Sequence, residues 1–188
     1  MPELPEVEVV KRSLEKKILN SIIKKVKKYD HKLRYKVEKE ISIKLVGKKI
    51  KNIKRRSKFL IFEIDSSYLM LVHLGMTGKF FFIDQNKEKF KTSFYYVLDY
   101  KKDQKYNRII FFLNKKQKLI YNDVRKFGFI KLYHSGNYNE ISHLKNLGPE
   151  PLKKNWNFKY FKNYIVNRNR SIKNILMDQK FVSGLGNI

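Results

Sequence analysis

Between residues 22 and 133 the chain carries a dense series of short β-forming runs separated by turn signals, and this density constrains the fold most. The runs are Ile22–Val26, Phe59–Ile64, Tyr68–His73, Lys79–Ile83, Phe94–Leu98, Ile109–Leu113, Lys118–Tyr121 and Phe129–Tyr133. Asp65-Ser66-Ser67, Asn114-Lys115 and Ser135-Gly136-Asn137 break the chain between or after them. Short strands so punctuated predict an antiparallel sandwich or barrel. Helical signals flank this block. Val7, Val10, Leu14 and Ile18 recur at helical spacing, with Pro5 and acids at the start and Lys/Arg toward the end. Phe158–Val166 and Ser171–Gln179 also read as helices. The expected class is α+β: an N-terminal antiparallel β-sandwich with a flanking helix, then an all-α segment. Leu147-Gly148-Pro149-Glu150-Pro151-Leu152 marks the boundary. The expected division is a sandwich domain over 1–135, a linker over 136–154 and a helical domain over 155–188.

A core is affordable, since 42% of the 188 residues are hydrophobic and 14% aromatic. Forty-three Lys and Arg stand against 17 Asp and Glu, a formal net charge of +26. The shortage of acids points to a polyanionic partner, with nucleic acid ahead of a membrane surface. No apolar stretch is long enough to span a bilayer. Glu3, Glu6 and Glu8 do not fit a secretory signal. With no cysteine, disulfides and Cys-ligated zinc are excluded within these residues. The expected compartment is the cytoplasm.

The N-terminus carries the chemistry. Methionine before proline is normally removed, which leaves Pro2 with a free secondary amine. An α-amino group titrates at about 7.7–8.0, so part of it is unprotonated and nucleophilic near neutrality. Attack on an aldehyde-like carbon gives a charged iminium, an electron sink for elimination. Glu3 and Glu6, three residues apart, can flank that amine as general acid/base and electrostatic partner. The same residues also suit an ordinary acidic helix start.

Six blocks in one order settle between these readings. They are MPELPEVE at the terminus, RRSKFL at 55–60, HLGMTGKF at 73–80, DVRKFGF at 123–129, LGPEPL at 147–152 and the run from Ile172 to Ile188. Together they resemble the formamidopyrimidine-DNA glycosylases, bifunctional 8-oxoguanine DNA glycosylase/AP lyases, across the whole chain. The resemblance implies a β-sandwich, a helix-two-turn-helix domain and a zinc finger, with DNA in the cleft between.

Site residues follow from the matched blocks. Pro2 resembles the nucleophile that attacks C1′ of the damaged nucleotide, and Glu3 the acid/base that assists sugar ring-opening. Glu6 matches an acid lining the same pocket. Lys58 resembles the lysine used in β-elimination and phosphate contact. His73 and Arg56 fall at phosphate-contact positions. Met76, Arg125 and Phe127 match a wedge that fills the gap left by a flipped-out nucleotide. Lys173 and Asn187 match DNA contacts on the helical side. The implied partner is double-stranded DNA bearing oxidised purines or abasic sites, bound by a monomer. Two alternatives stay open: a catalytically weak DNA-binding remnant, and a sibling of endonuclease VIII type acting on oxidised pyrimidines.

The sequence departs from the family pattern twice. The stretch Lys91-Thr92-Ser93-Phe94 lacks the histidine usual there. The run ending at Ile188 stops partway through the helix-two-turn-helix motif and before the zinc finger. No cofactor is therefore expected in these residues, and zinc only in a longer form.

Overall fold

A computed structural model describes residues 2–29, 32–65, 67–84, 89–91, 104–136 and 141–187. Helix α1 (Leu4–Ile18) opens the chain and buries Val7, Val10, Leu14 and Ile18, the stripe its sequence spacing predicts. Strand β1 (Ile23–Lys28) and the short helix α2 (Ile41–Leu45) follow. Next come β2 (Ile50–Arg56), β3 (Phe59–Ile64), β4 (Tyr68–His73), β5 (Lys79–Ile83) and β6 (Lys89–Lys91). The last strands are β7 (Asn107–Leu113), β8 (Lys118–Asn122) and β9 (Phe129–His134).

The strands form two antiparallel sheets, ordered β1-β7-β8-β5-β6 and β2-β3-β4-β9. Both contribute to one apolar core, which includes Ile23, Phe62, Met70, Phe80, Phe111 and Ile130, with α1 and α2 packed against it. This is the α+β sandwich expected from the sequence. Strands β2 and β6 and helix α2 escaped sequence reading. Strand β2 (Ile-Lys-Asn-Ile-Lys-Arg-Arg) buries only Ile50 and Ile53, so it lacks period-2 alternation. Helix α2 is too short to display a helical period. The run expected at Phe94–Leu98 lies outside the described residues.

The stretch expected as a linker is packed where it is described. Ile141 and Leu144 are buried with Ile61, Leu69, Leu71 and Phe129 on the outer face of the four-stranded sheet. Beyond it stand α3 (Phe158–Ile165), capped by Asn157, and α4 (Ile172–Leu176), capped by Ser171. Helix α4 stops before the expected Gln179, because the chain turns after Met177 to bury Phe181 and Val182. Phe181 lies against Trp156, Tyr160, Phe161 and Tyr164 in a separate aromatic core.

Candidate active site

The N-terminal residues are held by the start of α1. Glu3 is the N-cap, and the Glu6 carboxylate folds back to accept the Glu3 N–H at 2.8 Å. This capping box fixes the backbone beside Pro2. Glu6 does not line the cleft described below; it orients Glu3, a correction to the pocket-lining expectation.

Opposite stands the two-residue turn between β2 and β3. Ser57 adopts a left-handed backbone at φ +54°, and its N–H is held by the Glu150 carboxylate at 2.6 Å. Lys58, next in the chain, is buried and forms an ion pair with the buried Glu3 carboxylate. The pair lines an open cleft of about 560 Å³. The sandwich supplies Glu3, Ser57, Lys58, Phe59 and His73 to its wall; Leu147, Met177, Gln179, Leu185, Gly186 and Asn187 supply the other side. Gln179 fastens that second side, accepting Gly184 N–H at 2.8 Å and donating to Leu185 O at 2.6 Å. Gly186 packs directly on Glu3: a Cβ there would lie 2.1 Å from Oε1.

His73 reaches the cleft from the end of β4 as a neutral ring. Its Nδ1 accepts Gly75 N–H at 3.1 Å, which leaves the proton on Nε2. Burial, then the charges of Arg34 and Lys58, push its pKa down to about 4. A phosphate contact here is a hydrogen bond from a neutral donor.

The expected wedge residues come together on two adjoining turns. Met76 is exposed on the turn after β4, and Arg125 and Phe127 are exposed on the turn after β8. The Arg125 guanidinium sits 4.6 Å over the Phe127 ring. Lys173 is exposed on α4, and Asn187 is exposed at the cleft rim.

Arg56 is placed differently from its sequence expectation. Its guanidinium donates to Leu147 O at 2.9 Å, Gly148 O at 2.7 Å and Ser183 Oγ at 2.8 Å. It staples the sandwich to the C-terminal segment and is spent as a phosphate ligand. Glu150, Gln179 and Gly186 were missed as site-builders. An acid held between two prolines in so basic a chain was the available signal for Glu150; nothing local marked the other two. Thr92, beside the missing family histidine, lies outside the described residues. Among the described residues, no helix is long and apolar enough to cross a membrane.

A β-sandwich and a helical segment that together wall a cleft bearing a buried Glu3–Lys58 pair, with Pro2 half-buried next to Glu3 in the chain, define a known class of two-part fold. Residues 1–130 match the formamidopyrimidine-DNA glycosylase N-terminal domain, and 147–188 match the formamidopyrimidine-DNA glycosylase H2TH domain. The chain is 38% identical over its full length to a formamidopyrimidine-DNA glycosylase of Rickettsia bellii. It is 40% identical to one of Ligilactobacillus salivarius. It spans 63% of the length of each. It also superimposes on Lactococcus lactis Fpg in complex with abasic-site DNA, with a TM-score of 0.83 and 31% identity. That match covers 100% of this chain and 64% of the other. The L. lactis complex with N7-benzyl-Fapy-dG DNA gives a TM-score of 0.82 at 32% identity, covering 100% and 64%. The chain belongs to the formamidopyrimidine-DNA glycosylase family.

Proposed function

We propose that this chain removes oxidised purines, 8-oxoguanine and formamidopyrimidines, from double-stranded DNA and cleaves the resulting abasic site by β-elimination. The observation that carries the reading is the buried Glu3–Lys58 pair beside Pro2 at the cleft wall. The pairing of relatives with abasic-site DNA adds to it.

With Met1 removed, the Pro2 nitrogen attacks C1′, forming N–C1′ as the glycosidic bond breaks; the nitrogen's proton passes to Glu3, and the base leaves with the bond's electron pair and takes a proton from water. The C1′–O4′ bond then opens. The nitrogen lone pair forms the iminium, and O4′ takes a proton from Glu3. Glu3, again a carboxylate, takes a C2′ proton, which expels the 3′-phosphate, and water finally releases Pro2 from C1′. The Lys58 cation beside Glu3 stands ready for the leaving phosphate. Met76, Arg125 and Phe127 fill the hole left in the duplex, with Arg125 facing the orphaned base.

Borohydride reduction tests this reading, since it traps only an iminium. A chain processed to Pro2 should give a covalent complex with abasic DNA, and one retaining Met1 should not. Glu3→Gln should reduce base excision far more than cleavage at a preformed abasic site. Full trapping with Met1 attached would exclude Pro2 as the nucleophile.

A further inference from the structure

We propose that Asp123 is the positioning residue that locks the Met76 turn to the Arg125–Phe127 turn, so that the three groups enter DNA as one rigid wedge. This rests on the glycosylase reading for the role of the wedge, while the lock itself stands on geometry. Asp123 is fully buried, at 0% exposure, and does not line the catalytic cleft. A carboxylate taken out of water is tolerated only when hydrogen-bonded. Its partners come from both turns. Oδ1 accepts the Thr77 hydroxyl at 2.5 Å, and Oδ2 accepts Gly128 N–H at 2.9 Å and, weakly, the Tyr121 hydroxyl at 3.4 Å.

The connection has a direction. A threonine hydroxyl has one proton to give, and here it goes to Asp123. The same oxygen is thereby free to accept Arg125 N–H, at 3.1 Å. Arg125, Thr77, Asp123 and Gly128 thus form one hydrogen-bonded loop that crosses between the turns twice. Nothing separates the two backbones. Gly75, at φ +63°, lies so close that a Cβ would sit 2.4 Å from Phe127 C and Gly128 N. On this locked base stand Met76 and Phe127, 44% and 45% exposed. Apolar groups offered to solvent on short turns would otherwise scatter over many orientations, and a wedge must enter a stack in one.

The test compares Thr77→Val, Thr77→Ser and Asp123→Asn in the full chain. Thr77→Val removes the bridging hydroxyl at nearly constant shape, Thr77→Ser keeps it, and Asp123→Asn replaces one acceptor oxygen with a donor. Amide hydrogen exchange on the free protein reads the lock. Thr77→Val should speed exchange at Arg125 and Gly128, on the other turn, at least tenfold, with Leu14 and Phe62 as protected as in the parent. Thr77→Ser should match the parent. On DNA, the readouts are the fluorescence of 2-aminopurine opposite an abasic site and the ratio of borohydride trapping on duplex to single-stranded abasic DNA. Thr77→Val and Asp123→Asn should lose the fluorescence response and lower that ratio at least tenfold. Parent-like exchange at Arg125 and Gly128 in Thr77→Val, or an unchanged ratio, would overturn the lock, even if Asp123→Asn fails to fold. No trapping by the parent on either substrate would instead overturn the glycosylase reading.

Discussion

Arg55 and Glu150 meet across 95 residues of sequence in a two-point ion pair, Nη1 to Oε1 at 2.8 Å and Nη2 to Oε2 at 3.0 Å. Arg55 also donates from Nε to Glu8 at 2.8 Å, and Glu150 also holds Ser57 N–H. One carboxylate therefore connects α1, the turn bearing Lys58 and the segment leading to the helices. Removing one partner strands the other in a buried site, which typically costs about 3–5 kcal/mol. Glu150→Ala should lose stability of that order in urea unfolding. Glu150→Leu combined with Arg55→Met should recover much of it.

Acid should unfold the protein in two stages. Burial, with the charges of Arg34 and Lys58, holds His73 at about 4, below the ordinary histidine value of 6.5. Between those values the unfolded chain binds more protons. The stability from a neutral His73 is complete above pH 6.5 and lost as pH falls toward 4, by up to about 3 kcal/mol. Burial pushes the Glu150 carboxyl up, but Arg55, Ser57 N–H and Arg56 outweigh it and hold it below 4.5. That contribution is present above pH 4.5 and disappears below it. Melting temperature against pH should fall first between 6.5 and 4. His73→Gln should flatten that first stage and leave the second.

Gly186→Ala should damage the site and spare the sandwich. The new methyl would meet the Glu3 carboxylate at 2.1 and 2.4 Å, so either Glu3 or the 184–187 turn must move. Borohydride trapping should fall at least tenfold, about 1.4 kcal/mol of barrier, with the unfolding midpoint of the sandwich little changed. Parent-level trapping would mean the turn yields without disturbing Glu3.

Salt titrations should separate Arg56 from Lys173. Arg56 is committed to two carbonyls and Ser183, so Arg56→Ala should lower stability and leave the slope of log K against log salt on duplex DNA unchanged. Lys173 is exposed on α4, and Lys173→Ala should lower the slope by about 0.9, one phosphate contact. The reverse pattern would return Arg56 to the DNA surface.

The sequence by itself determined the parts that local physics writes into short segments. The i, i+3/i+4 stripe of Val7, Val10, Leu14 and Ile18 specified α1, and runs such as Phe59–Ile64 and Tyr68–His73 specified their strands to the residue. Glu3 and Lys58, which the structure pairs, were legible as candidates because they fall in distinctive blocks. What only the tertiary structure decided was how charge is spent. Arg55 and Arg56 are neighbours on one strand and look alike in sequence, yet both are turned inward to Glu150, Ser183 and two carbonyls, while Lys173 stays in water. Glu6 and Glu3 likewise look equivalent, and the capping geometry makes one the support of the other. The lock at Asp123 depends on two turns that lie 46 residues apart along the chain at Thr77 and Asp123. A buried polar group is satisfied by whatever the fold brings beside it, and no local pattern encodes that partner.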